Sequence, residues 1–164
     1  MYTATKVTII ALALLTAGAV AAQAQNNASI NVSAAVQQPI VVLAGNNLTF
    51  GPVFPGVPKA ITLASVGAGR FDVTGQASAP VSMTFVVPAN LTFGANNLPI
   101  ASWVGSWNGV NDPAGSGFTP SAGATAATFS GTGSLFVFVG ATVTPSVSQV
   151  AGAYVGTVQM TVTY

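Results

Sequence analysis

Asp72 and Asp112 are the only acidic side chains in the sequence, which has no histidine and no cysteine. Two carboxylates about 5–10 Å apart across a sugar linkage can hydrolyse it. These two stand forty residues apart, with nothing between them that marks a shared cleft. The many Ser and Thr hydroxyls have no imidazole or thiol partner, and a hydroxyl nucleophile without an adjacent base is weak at neutral pH. Metal binding fails on the same inventory. Asn111 and Asp112 together offer two oxygen donors, where calcium takes roughly six to eight, and the usual zinc ligands are missing. The residues predict no enzyme, no metal and no cofactor.

Trp103 and Trp107 are the remaining candidates for a binding role. Four residues apart, they share one face of a strand. Beside Asn108, Asn111 and Asp112 they are candidate ligand-facing aromatics that could stack on a sugar. Packing in a core or a subunit interface is the more ordinary use of two indoles.

The elements that would position such residues begin with a leader. Lys6 supplies a positive start, Val7 to Val20 is an apolar run, and Ala22-Gln23-Ala24 is an A-x-A cleavage site before Gln25. This is the pattern of a secretory signal peptide over residues 1–24. The run falls below the roughly 20 residues that a membrane-spanning helix needs. No transmembrane anchor is expected once the leader is removed. Beyond it the only charged side chains are Lys59, Arg70, Asp72 and Asp112, which balance to zero. Only 3% of the chain is charged, against about 25% in ordinary soluble domains. Such a surface is poorly protected against association and suits a subunit covered by copies of itself. Without a basic patch to neutralise phosphates, a nucleic-acid partner is excluded. An exported domain without cysteine must draw its stability from its core rather than from disulfides.

No helical period runs through the rest of the chain. Runs of four to eight β-formers closed by Gly, Pro, Asn or Ser predict an all-β sandwich or barrel. Strands are expected near 28–36, 39–44, 47–50, 59–64, 69–75, 81–87, 100–107, 124–130, 133–141 and 154–164. Turns are expected at Gly45-Asn46-Asn47, Gly51-Pro52, Gly67-Ala68-Gly69, Asn96-Asn97 and Asp112-Pro113. Residues 105–123 read as a long loop, the place for binding. Leu135 to Val139 is apolar on both faces, so that strand must be covered twice. The repeat of Asn-Leu-Thr-Phe-Gly at 47–51 and 90–94 reads as two strand-to-turn exits rather than a duplication.

The two ends carry the cleanest alternation. Ala28, Ile30, Val32, Ala34 and Val36 lie on one face of the first strand, with Ser29, Asn31 and Ser33 on the other. Nine such residues span roughly 30 Å. Near the other end Tyr154, Gly156, Val158, Met160, Val162 and Tyr164 share a face, with Thr157, Gln159, Thr161 and Thr163 opposite. Together these are the parts for strand donation. One subunit's groove is lined by the second set, where a periplasmic chaperone would also bind. A neighbour's first strand then fills it.

Leu48-Thr49-Phe50-Gly51, Phe71-Asp72-Val73-Thr74-Gly75, the Val81 to Pro88 strand, and Gly152-Ala153-Tyr154-Val155-Gly156 through Val162-Thr163-Tyr164 add a resemblance. Their order and spacing resemble a bacterial family catalogued as domain of unknown function 4402. That family is pilin-like and related to spore coat protein U and to archaic chaperone–usher pilins. The resemblance covers the chain beyond the leader. It implies an immunoglobulin-like, pilin-type β-sandwich over residues 38–164, completed by an N-terminal donor strand over 25–37. It also implies export to the periplasm of a Gram-negative type bacterium and assembly at the cell surface. The expected partners are copies of the chain, a periplasmic chaperone and an outer-membrane usher. Two departures stand out: pilins often carry a disulfide, and their closing tyrosine often lies one residue before the end. The function expected is a structural subunit of an extracellular fibre or coat. The alternatives are a self-complemented monomeric surface module binding carbohydrate or protein, and a small outer-membrane β-barrel.

Overall fold

The computed structural model describes residues 26–164; the expected leader and its cleavage site lie outside the described residues. The chain divides into two units at Ala35/Val36. In the first, residues 26–35 form no strand, and Ile30 and Val32 are exposed. The strand expected at 28–36 is therefore not formed in the single chain. Alternation fixes which side chains share a face, but a strand exists only where another backbone takes up its N–H and C=O groups.

The second unit is all-β. Its strands are β1 (Val41–Asn46), β2 (Lys59–Ile61), β3 (Gly69–Thr74), β4 (Pro80–Val86), β5 (Asn90–Phe93), β6 (Asn96–Asn108), β7 (Ser116–Phe118), β8 (Thr125–Thr128), β9 (Ser134–Val143) and β10 (Gln159–Thr163). Every pairing between them is antiparallel. Seven strands form one sheet in the order β1-β3-β9-β6-β5, with β2 beside the far half of β9 and β7 beside the far half of β6. The other three form a small sheet, β10-β4-β8. Neither sheet closes into a ring. Their apolar faces meet in one cluster: Val73, Leu135, Val137 and Val139 from the large sheet, and Val81, Met83, Phe85 and Ala127 from the small one. This is the layout of a β-sandwich.

Strand β9 is covered twice, as its composition requires. Leu135, Val137 and Val139 point into the cluster, while Phe138 is buried on the opposite face. Arg70 on β3 and Ser106 on β6 flank Phe138 in the register. Both hold the turn that follows β6: Ser106 Oγ donates to Pro113 O at 2.7 Å, and Arg70 Nη1 donates to Asn111 Oδ1 at 3.1 Å. The segment expected as a 105–123 loop is accordingly shorter. Residues 105–108 complete β6 and residues 116–118 form β7 against them. Gly105 makes that pairing feasible, because a Cβ there would lie 2.5 Å from the Phe118 ring. Phe118 in turn stacks at 5.2 Å on Phe85 in the core.

Three further expectations are corrected. Residues 47–50 form no strand; Thr49 N–H instead donates to Gly67 O at 2.8 Å across a loop. The turn expected at Asn96-Asn97 lies at Gly94-Ala95, since Phe93 pairs with Asn96. Gly94 adopts a φ of +58°, the left-handed conformation that two-residue hairpins favour. The last strand is confined to 159–163, because residues 145–158 run as a strap tied to β5 by paired Thr92 and Val155 backbone bonds.

Candidate functional site

Strands β6 and β9 extend beyond the reach of the small sheet. Their outlying halves carry a second apolar cluster, Leu98, Ile100, Ala141 and Val143. No side chain of β4, β8 or β10 packs on it; its cover is Leu48, Phe50, Val53, Leu91, Trp103 and Tyr154, mostly from loops. That cover buries the cluster to 5% exposure or less, yet it is loosely fitted: a groove of about 1010 Å³ lies among the covering segments, with Leu98, Ile100 and Val143 at its base. One wall is residues 46–53, continuing from β1, and the other is residues 149–158, leading into β10.

Both walls continue into edge strands. Strand β1 pairs only with β3, and β10 only with β4, so each offers a free backbone edge among the described residues. Exposed Val41, Val42 and Leu43 lie along the first of these edges. Lysine and proline, which natural proteins use to blunt such edges, are missing from both strands.

The strap forming the second wall is firmly built. Gln149 Nε2 donates to Asn97 O at 3.0 Å and to Tyr154 Oη at 2.7 Å, and Tyr154 Oη donates to Val150 O at 2.8 Å. The Tyr154 ring packs at 5.8 Å on Phe93. Gly152 lies so close to Phe93 that a Cβ there would come within 2.2 Å of the ring.

The structure divides the six residues of the C-terminal alternation. Tyr154, Gly156 and Val158 line the groove. Val158 also packs on the closed cluster, where Met160 and Val162 are half-buried beside it. Tyr164 lies at the pole of the sandwich, 6.3 Å from Phe129 between ring centres. Its Oη accepts from Gln76 N–H at 2.8 Å and donates to Gln38 O. The N-terminal set is divided too: Ala28, Ile30, Val32 and Ala34 belong to the first unit, while Val36 begins the second and is exposed.

Trp103 and Trp107 share the inner face of β6, half-buried against the open and closed clusters respectively. One extra residue at Ser102, with φ of +51°, lets Ile100 and Trp103 both face inward. Neither indole forms an outer sugar platform. The carboxylates serve the fold: Asp72 takes a bidentate pair of bonds from Arg70 at 2.6 and 3.0 Å, and Asp112 Oδ1 accepts Ala114 N–H at 2.8 Å. Among the described residues no three His, Cys, Asp or Glu side chains gather as a metal site.

Sequence reasoning missed the 46–53 wall and the strap's attachment to β5. Leu48, Phe50 and Val53 were visible as apolar residues in a polar stretch, but their spacing reads as a strand. No protein-family model, curated protein or solved structure matches the chain.

Proposed function

We propose that the chain is the non-enzymatic structural subunit of an extracellular fibre or surface coat, with a pilin-type immunoglobulin-like sandwich completed by a strand from another copy. The single observation that carries this reading is the groove based on Leu98, Ile100 and Val143, whose two walls continue into the edge strands β1 and β10. An apolar groove that runs on to free strand edges is what a β-strand with one apolar face completes, since main-chain bonds supply affinity and alternate side chains fill pockets. The segment 28–36 has that pattern and is unpaired in the single chain. Its opposite face also fits. Gln159, Thr161 and Thr163 on β10 face outward beside Val86, Thr84 and Ser82 of β4, and an added strand would continue this uncharged surface with Ser29, Asn31 and Ser33. Export through the expected leader, custody by a periplasmic chaperone and delivery through an usher follow from the same reading.

The test is the double variant Ile30→Asp, Val32→Asp. Both side chains are exposed in the free chain, so the domain should keep its unfolding midpoint. Each apolar side chain buried on docking contributes roughly 1.5–3 kcal/mol, and a buried unpaired carboxylate costs more. The variant should therefore lose the ladder of polymers that the unaltered chain gives on unheated denaturing gels. Polymers of normal length from the double variant rule out assembly through this segment.

A further inference from the structure

Resting on that reading, we infer that Tyr164, Gln38 and Gln76 form a clasp that keeps the groove for a second copy by preventing the chain from filling it with its own first strand. Tyr164 Oη joins Gln76 N–H on the β3–β4 turn to the carbonyl of Gln38. The Gln76 side chain takes the Gln38 N–H as well, at 3.4 Å. Gln38 is thus held on both its backbone groups at the pole where β10 ends. Pro39 adds to this, since a residue before proline is restricted to extended conformations. Ile40 then packs on the closed cluster and leads into β1.

The consequence is directional. Strand β1 leaves this pole, because Val41 pairs with Thr74, and β10 arrives at it. A segment tethered at Gln38 can reach its own groove only by reversing at Gln37 and running back, which sets 28–36 parallel to β10. That placement is antiparallel to β1 but parallel to β10, whereas every strand pairing among the described residues is antiparallel and parallel pairing is slightly weaker per residue. A strand from another copy has no such tether, needs no reversal at Gln37, and is free to enter in either direction, antiparallel to β10 included. The clasp is a positioning device: it disfavours the tight reversal that self-filling needs and leaves the intermolecular route untouched.

Cross-linking tests this directly, because the chain has no native cysteine. Running back from Val36 beside Tyr164, the self-inserted strand would bring Ile30 level with Val158. The full chain carrying Ile30→Cys and Val158→Cys is oxidised with the clasp intact, with Tyr164→Phe, and separately with Pro39→Gly. Tyr164→Phe keeps the ring against Phe129 and removes only the two hydrogen bonds. Loss of two partly exposed bonds should raise the fraction of internally cross-linked monomer by at least about threefold, with a matching fall in polymer. A merely structural role for Tyr164 would change stability without moving this partition. Polymers intact and an unchanged cross-linked fraction in both variants would overturn the clasp while leaving the groove reading in place. Internally cross-linked monomer dominating with the clasp intact would overturn it as well. A chain that gives neither polymer nor cross-link in any version removes the groove reading, and the clasp with it.

Discussion

The two clusters of the core share strands β6 and β9 and differ in what lies over them. Around Leu135, Val137 and Val139 the small sheet supplies Val81, Met83, Phe85 and Ala127, and the cluster is sealed from both sides. Around Leu98, Ile100, Ala141 and Val143 the cover comes from residues 48–53, β5, Trp103 and the 145–158 strap, and a groove remains. The floors are equally apolar. What differs is that a sheet delivers side chains in a regular two-residue repeat, whereas loops deliver them one at a time. The loop-covered half is therefore the half where an added strand gains most.

Mutations on the two floors should separate accordingly. Phe85→Ala removes a fully buried ring stacked on Phe118. It should destabilise the domain by about 3–5 kcal/mol in urea unfolding, whether or not a strand fills the groove. Ile100→Ala, buried beneath the groove, should cost about 2 kcal/mol in the free domain, the low end for an aliphatic truncation, because loop cover can collapse into the space it leaves. Its second effect appears on docking. A peptide spanning Asn27 to Gln37 should raise amide-exchange protection along β10 in the unaltered chain and do so less in Ile100→Ala. An Ile100 penalty equal to that of Phe85, with no response to peptide, would mean that the halves are alike and the groove is closed in solution.

The smallest effect is expected on the charged pair beyond both clusters. Arg70 and Asp72 form a bidentate bridge on the outer face of β3, with side-chain exposures of 19% and 32%. Arg70→Gln should cost no more than about 1 kcal/mol. Polymer yield should also change little with sodium chloride, because the groove's floor is apolar and screening acts only on charges. A steep salt dependence of assembly would shift the weight from the apolar floor to Arg70, which stands at the groove's margin.

The all-β class and most strand positions were legible because strands carry their face pattern within five or six residues. β1, β3, β4, β8 and β9 fall close to where β-formers cluster between turn residues. The misses have physical causes. Leu48 and Phe50 alternate like strand residues, but their neighbour offers a single loop bond to Thr49 rather than a ladder. β7 is three residues, Ser116-Gly117-Phe118, with no pattern to read; it exists because Gly105 leaves room for Phe118. The Gly94 turn was hidden by the Asn pair beside it, since both residue types accept left-handed backbone.

Composition by itself determined that this chain could carry neither acid–base catalysis by histidine nor thiolate chemistry, and that its surface is almost uncharged. Alternation determined the inward faces of the end segments. Only the tertiary structure decided that Met160 and Val162 serve the closed cluster, that Tyr154 and Gly156 line the groove, and that Val158 does both. Only it placed Tyr164 against Gln38 rather than in the groove. The reason is one of range: a face pattern is set by dihedral geometry between adjacent residues. What covers that face depends on contacts such as Tyr164 with Gln38, 126 residues apart, and on how far one sheet reaches across another.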